Sequence, residues 1–107
     1  MPTDPKDKPI LTRLRAALAE LYGDRLERVV LYGSRARGDH QLDSDYDIAV
    51  FIKDPGTLTA ELEELVSLTT AILLDTGAVI SAKPFHAGSH RERTAFMHDL
   101  RKDGLDL

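Results

Sequence analysis

Apolar side chains recur every three or four residues in three stretches of the chain, a spacing that predicts amphipathic α-helices. The first begins after Pro9, which suits a first helical turn, and Gly23 marks its end. The second follows a DPGT break and ends at Gly77. A capping box at Ser89–Glu92 predicts the start of the third, which Gly104 ends. The positions that mark the buried faces of the first two helices are Ile10, Leu11, Leu14, Leu18 and Leu21, and Leu58, Leu62, Leu65, Thr69 and Ile72.

Three shorter runs are rich in β-branched and other apolar residues, as expected for buried strands. They are LERVVLYG at 26–33, DYDIAVFIK at about 45–53 and AVISAKPF at 78–85. The order α-β-(loop or short helix)-β-α-β-α predicts an α/β (α+β) fold, a small mixed sheet of three or more strands with helices packed on it. Residues 1–8 are polar and contain proline, so we expect a flexible tail there and one domain over 9–107.

The composition narrows the class of protein. With 107 residues, 42% of them hydrophobic and 30% charged, the chain is typical of one globular domain. It has no cysteine, which excludes disulfides and cysteine metal sites. No apolar run reaches the length of a membrane span, and the N-terminus lacks the apolar core of a signal peptide, so we expect a cytoplasmic protein with no membrane partner. The net charge of −4 disfavours direct binding to duplex DNA, although a local contact with nucleotide phosphate stays open.

The segment LYGSRARGDHQLDSDYD, residues 31–47, places an unusual density of charge between the first two predicted strands. Gly33 follows the first strand directly and lets backbone N–H groups approach a ligand closely. Ser34 can then cap a short helix, and a Gly-Ser step that leads into a helix N-terminus can bind phosphate. Arg35 and Arg37 would add positive charge. From these residues alone, an ordinary glycine turn with an N-cap serine is the more common alternative.

Two aspartates at the start of the second strand favour a functional site over an ordinary glycine turn. Asp45 and Asp47 are two residues apart, so both side chains point to one face, with Cα atoms about 7 Å apart. Carboxylates at this spacing can bind one Mg²⁺ or bridge two. Two acids on one face of a buried strand repel each other without a cation, which favours a metal site over a structural role. With the Gly-Ser step, they predict a site for Mg²⁺ and a nucleoside triphosphate.

Gly33-Ser34, ten intervening residues and Asp45-Tyr46-Asp47 resemble the Gly-Ser-x10-Asp-x-Asp signature of minimal nucleotidyltransferase (MNT) domain proteins. These belong to the DNA polymerase beta-like nucleotidyltransferase superfamily. The resemblance covers roughly residues 11–85, and the motif is specific because it is long and has two parts. It implies that the Gly-Ser pair binds the triphosphate, with Arg35 or Arg37 as a charge clamp. It also implies that the two aspartates hold Mg²⁺ and are catalytic.

The activity that this resemblance implies is Mg²⁺-dependent transfer of a nucleoside monophosphate, typically AMP from ATP, to a hydroxyl, with release of pyrophosphate. Many such proteins resemble the antitoxin of a toxin–antitoxin pair whose toxin is a HEPN-domain ribonuclease, and transfer of AMP to the toxin silences it. We therefore expect ATP or another nucleoside triphosphate as substrate and a HEPN-type toxin as protein partner. An adjacent HEPN-type reading frame would support this role.

One position departs from the family pattern. The family usually has a third carboxylate on a later neighbouring strand, but GAVISAKPF contains no acidic residue. Ser81 occupies about the expected place, and Asp75 falls too early, at the end of the preceding helix. A catalytically degenerate nucleotide-binding module that neutralises a toxin by binding alone is therefore an alternative. A third possibility is a transferase acting on tRNA or a small molecule, with its acceptor pocket on another chain.

Three further features have a functional and a structural interpretation. Lys83, at a strand end, could reach the phosphates, although most such lysines are only solvated. His40 is interpreted as a solvated loop residue. Phe96, Met97 and Leu100 could bind a partner, but we favour the interpretation that their stripe covers the sheet.

Overall fold

The computed structural model describes residues 7–38 and 45–107, and within them the helices and strands follow the predicted order. The helices are α1 (Asp7–Tyr22), α2 (Ser34–Arg37), α3 (Leu58–Thr76) and α4 (Ala95–Asp103). The strands are β1 (Leu26–Tyr32), β2 (Tyr46–Ile52), β3 (Ile80–His86) and β4 (Leu105–Asp106). Short 3₁₀ turns cover Gly23–Arg25 and Ala87–Arg91.

The four strands form one mixed sheet in the order β3-β2-β1-β4. Strand β2 runs antiparallel to β1 and parallel to β3, and β4 runs antiparallel to β1. This arrangement confirms the predicted fold class. The sequence did not predict β4, because two residues are too few to show a strand pattern; they pair with Val30 and Leu31.

The two faces of the sheet carry different amounts of core. On one face, α1 and α3 pack against alternate strand residues and form the larger cluster. On the other face, Met97 and Leu100 of α4 cover a smaller cluster with Val30, Ala49 and Phe51. The interpretation that the α4 stripe covers the sheet is therefore confirmed for Met97 and Leu100. The largest fully buried side chains of the two clusters include Phe51, Leu14, Leu18, Leu31, Ile48, Ile52, Leu65 and Ile72.

Helix α1 begins earlier than the apolar pattern predicts. It starts at Asp7 rather than after Pro9, so the predicted tail over residues 1–8 is wrong at its last two positions. Residues 1–6 lie outside the described part of the chain. The side chain of Asp7 is buried, which ties the first helical turn to the rest of the fold. At the other end, Leu21 is exposed and Tyr22 is buried in its place.

Helix α3 ends at Gly77 as predicted, with the glycine at φ 80°, and its predicted buried face is confirmed at Leu65, Thr69 and Ile72 but is wrong near the start of the helix. Leu58 and Leu62 are exposed, whereas Glu61 is buried. The Glu61 carboxylate accepts hydrogen bonds from Arg25 (2.6 Å) and from the Gly56 N–H (3.2 Å), which compensates for its burial.

Neither α3, the longest helix, nor any other helix in the described ranges is long and apolar enough to cross a membrane.

Helix α4 begins later than its predicted capping box. Ser89 lies in the second 3₁₀ turn, and Glu92 has an extended backbone (ψ 150°), so the box does not form. Thr94 caps the helix instead, because its hydroxyl accepts a hydrogen bond from the Met97 N–H at 3.1 Å. Two candidate caps lie five residues apart, and only the fold selects between them.

Candidate active site

Three side chains from three strands lie in a row at one end of the sheet. Tyr32 of β1 pairs with Asp47 of β2, and Asp47 pairs with Ser81 of β3. Directly paired residues point to the same face, which here is the α4 face. Asp45 precedes β2 with the same alternation as Asp47 and lies within electrostatic reach of it. The geometry therefore brings together the two aspartates that the motif predicts to act together.

The backbone of Gly33 touches this row directly. Gly33 has φ 77° and ψ −157°, a conformation that is essentially restricted to glycine. A Cβ atom added there would lie 2.5 Å from Oδ2 of Asp47. The glycine is thus needed twice, for its backbone angles and for the close approach of the carboxylate. The two halves of the sequence motif meet at this contact.

Ser34 is placed differently from the prediction. It is the first residue of α2, and Gly33 is the N-cap, with no side-chain hydrogen bond capping the helix. The predicted capping role of Ser34 is therefore wrong. The short helix is closed by backbone bonds instead, from Arg37 N–H to the Gly33 carbonyl (3.2 Å) and from Gly38 N–H to the Ser34 carbonyl (2.9 Å). The Ser34 hydroxyl is consequently not engaged as a helix cap.

Arg35 lies in the interior. Its guanidinium donates to Oδ1 of Asp7 at 2.8 Å and stacks over the Tyr46 ring at 4.0 Å from the centroid. The Tyr46 hydroxyl donates to the same Asp7 oxygen at 2.6 Å. We call Asp7, Arg35 and Tyr46 the closed cluster. Tyr46 belongs to the core on the α1 and α3 face, so Arg35 does not lie where a phosphate clamp beside Asp47 was predicted.

Arg37 and Lys83 are the cations that act on the row. Burial raises the pKa of Asp47, and the charge of Asp45 raises it further, whereas Lys83 and Arg37 lower it. Lys83 pairs with Ala49 one row further along the same face. The side chain of Arg37 is exposed at the end of α2. We call Asp45, Asp47, Ser81 and Lys83 the open cluster.

The donor set of the open cluster suits a hard divalent cation. Two carboxylates are the oxygen ligands that Mg²⁺ prefers, with the remaining positions left to water and phosphate oxygens. Within residues 7–38 and 45–107, no group of three or more acidic or histidine side chains is arranged to hold a metal. The described residues thus supply two carboxylates and one neutral hydroxyl, that of Ser81.

The predicted position of Ser81 on the same face as Asp47 is confirmed by the strand register. Asp75 cannot replace it, because its carboxylate pairs with Arg13 of α1. His40 lies outside the described residues.

At the β1 end of the row, the Tyr32 ring packs edge-on against the Phe96 ring, with the ring centroids 5.3 Å apart. Burial raises the pKa of Tyr32, and the charge of Asp47 raises it further. A cavity of about 180 Å³ separates Gly33 and Arg37 from α4.

Residues 11–98 match the nucleotidyltransferase domain family, whose members generally use Mg²⁺ and a nucleoside triphosphate. Two curated relatives from Methanocaldococcus jannaschii carry the name "Putative protein adenylyltransferase". The first, MJ0141, is 26% identical over 98 residues, which is 92% of this chain and 95% of the relative. The second, MJ0604, is 36% identical over 66 residues, which is 62% of this chain and 60% of the relative.

Solved structures show the same fold. Chains in two crystal structures of mutants of the toxin–antitoxin MntA-HpeT superpose with TM-scores of 0.58 and 0.59, at 21% and 18% sequence identity. Each comparison covers 94% of this chain and 70% of the other. With the family match over most of its length and the two-part motif assembled at one end of the sheet, this chain belongs to the nucleotidyltransferase domain family.

Proposed function

We propose that this protein is a Mg²⁺-dependent adenylyltransferase that moves AMP from ATP to a hydroxyl of a partner protein. We also propose that the partner is a HEPN-type toxin, for which this chain is the antitoxin. The observation that carries the proposal is the contact between the Gly33 backbone and Asp47, with Asp45 beside it. The names of the two relatives support a protein acceptor. The toxin–antitoxin neighbours support the biological role.

Each residue of the site has a proposed role. Gly33 and Ser34 bind the triphosphate, and Asp45 and Asp47 hold Mg²⁺. Arg37 replaces Arg35 as the proposed charge clamp, because it acts electrostatically on Asp47 from the exposed end of α2. When bound, Mg²⁺ neutralises charge on the phosphate oxygens.

The transfer itself needs little covalent help from the protein. The hydroxyl oxygen of the acceptor forms a bond to the α-phosphorus of ATP. The bond from that phosphorus to the bridging oxygen breaks, pyrophosphate leaves, and the hydroxyl proton passes to water. The chain contributes by holding the nucleotide in line with the acceptor and by placing charge near the phosphates.

A second candidate function rests on Ser81. Because a neutral hydroxyl stands beside Asp47 where the family usually has a carboxylate, the site has one ligand fewer for the metal that activates the acceptor. The alternative is a module that binds nucleotide, transfers nothing and neutralises its toxin by occlusion. Nucleotide binding is common to both candidates, and only transfer distinguishes them.

Nucleotide binding is tested with the double variant Asp45→Asn, Asp47→Asn. We expect it to lose measurable Mg²⁺-ATP binding in calorimetry, because both proposed metal ligands lose their charge. It should melt no lower than wild type without Mg²⁺, since burial and mutual repulsion disfavour the charged pair. Asp54→Asn is the matched control, at the opposite end of β2, and should bind Mg²⁺-ATP normally. Unchanged affinity in the double variant would remove the site assignment.

Transfer is tested by mass spectrometry of the proposed HEPN-type partner, purified after co-expression with this protein. We expect an added mass of one or more AMP units with wild type and none with Asp45→Asn, Asp47→Asn. A toxin that is inhibited but carries no added mass would establish the occlusion alternative instead.

A further inference from the structure

Strand β3 leaves one edge of the sheet open. Within the described part of the chain, the sheet ends at β3, and no strand pairs with its outer side. The Tyr46 N–H donates to the Val79 carbonyl at 2.9 Å, so the peptide groups of residues 79, 81, 83 and 85 point towards β2. The peptide groups of the alternate residues therefore point outwards. Ile80 and Ala82 each present an N–H and a C=O to a strand that adds there.

A groove of about 600 Å³ runs along this edge between β3 and α3. Its α3 wall is mainly apolar: it contains Leu62, Val66 and Leu73, which are 42%, 53% and 38% exposed, together with Thr69 and Thr70. Its other wall includes Asp45, Ser81 and Lys83 of the open cluster. Leu62, next in the chain to the buried Glu61, points into this groove. The groove is thus an apolar channel that leads directly to the candidate active site.

Pro84 limits what can pair with the edge. It has the same outward alternation as Ile80 and Ala82 but carries no N–H, so it offers no donor. A proline in an outer strand discourages long pairing between edges of two copies. The part of the edge that can pair with an added strand is therefore confined to residues 80–82, with Ser81 at its centre. This length suits a short extended peptide segment better than a second copy of the chain.

We propose that this groove binds the acceptor segment of the partner protein, as a short β-strand added to the outer edge of β3. The proposal rests on the proposed transfer to a protein hydroxyl. In the added strand, the residue opposite Ser81 points to the face that carries Asp47. Its two neighbours point to the opposite face, where Leu62 and Val66 extend beyond the sheet. The acceptor sequence is therefore a hydroxyl-bearing residue with an apolar residue on each side.

The size of the side chain at position 81 affects how the acceptor hydroxyl reaches the nucleotide. Neighbouring strands lie about 4.8 Å apart, so the added strand lies about 10 Å from β2. A hydroxyl that reaches the nucleotide beside Asp47 has to cross above residue 81. The small side chain of Ser81 leaves that path open.

The test uses isotope-labelled full chain without nucleotide, and two heptapeptides of the same composition. In Lys-Lys-Val-Thr-Val-Lys-Lys the valines flank the threonine and point away from its face. In Lys-Val-Lys-Thr-Lys-Val-Lys they point to the same face as the threonine. We expect the first peptide to shift the NMR amide signals of Ile80 and Ala82 and the methyl signals of Leu62 and Val66. The second should bind at least about tenfold more weakly, because its valines miss the groove.

Two substitutions on one helix separate the groove from general surface effects. Val66→Glu puts a charge into the apolar wall and should weaken binding of the first peptide about tenfold or more. Leu74→Glu is the matched control, because Leu74 is 83% exposed and does not line the groove. It should leave peptide binding unchanged. Both variants should keep the Mg²⁺-ATP affinity of wild type, since neither residue belongs to the proposed nucleotide site.

Several results would overturn the proposal. These are peptide-induced shifts on another surface, no shifts at millimolar peptide, equal binding of both peptides, or an equal effect of Leu74→Glu. Concentration-dependent shifts of Ile80 and Ala82 without peptide, with a dimer in sedimentation, would assign the edge to a second copy. Failure of the proposed function has a different signature: the groove binds peptide, but the protein binds no Mg²⁺-ATP or leaves the toxin unmodified.

Discussion

Tyr46 and Asp47 are neighbours in the chain, yet they belong to polar clusters on opposite faces of the sheet. In the closed cluster, Asp7 and Arg35 are 1% and 5% exposed, and the chain itself supplies the opposite charge. In the open cluster, burial and, after it, the charge of Asp45 raise the pKa of Asp47 despite Lys83 and Arg37. The charges of the first cluster are therefore paired within the described part of the fold. In the second cluster, the proposed Mg²⁺ would supply the missing positive charge.

Helix α2 connects the two clusters. Gly33 at its start lies against Asp47, and Arg35 in its first turn is buried against Asp7. Because α2 has only four residues, its own backbone bonds contribute little to holding it in place. The closed cluster therefore fixes the position of the loop that we propose to bind phosphate. Arg35 supports the site from beneath rather than touching nucleotide.

The largest effect is expected from breaking the closed cluster. Asp7→Ala should destabilise the protein by about 3–5 kcal/mol, because it leaves the buried Arg35 guanidinium without its opposite charge. Urea unfolding gives the free energy difference. Adding Arg35→Met should cost less than the sum of the two single variants, since the two residues act as a pair. A loss of under about 1 kcal/mol for Asp7→Ala would contradict the structural role of this pair.

A smaller effect is expected where the loop meets the open cluster. Gly33→Ala forces a non-glycine residue into a restricted conformation, at about 1–3 kcal/mol, and displaces the Asp47 carboxylate. Gly77→Ala is the matched control, because Gly77 also has positive φ (80°) but a Cβ there meets nothing within 4 Å. Both variants should lose stability in urea unfolding, but only Gly33→Ala should lose Mg²⁺-ATP affinity in calorimetry. Equal ATP affinity in the two variants would contradict the functional importance of the contact.

The smallest effect is expected from adding a charge to the open cluster. Ser81→Asp places a third carboxylate beside Asp47, which increases repulsion without metal and adds a ligand with it. We expect a lower melting temperature than wild type without Mg²⁺, and a larger rise when Mg²⁺ is added. We also expect stronger Mg²⁺ binding in calorimetry. Identical Mg²⁺ stabilisation in both proteins would mean that Ser81 does not contribute to the metal side of the site.

The sequence by itself determined the order of elements, the fold class and the pair of aspartates. Helical and strand periodicities are local, and they reflect the burial of alternate or every third to fourth side chain. The Gly-Ser and Asp-x-Asp halves could be matched as one motif because their spacing is visible in the chain. Their physical meeting at Gly33 and Asp47 agrees with that motif.

Only the tertiary structure decided which charges are balanced internally. Asp7 and Arg35 are 28 residues apart, and no local pattern indicates that they pair. The choice of Thr94 over Ser89 as a helix cap depended on where the chain leaves β3. The burial of Glu61 in α3 depended on Arg25, which meets its carboxylate from another element. For Asp7, Arg35 and Glu61, the deciding energy is that of burying a polar group with or without a partner, and the partner comes from a distant part of the chain.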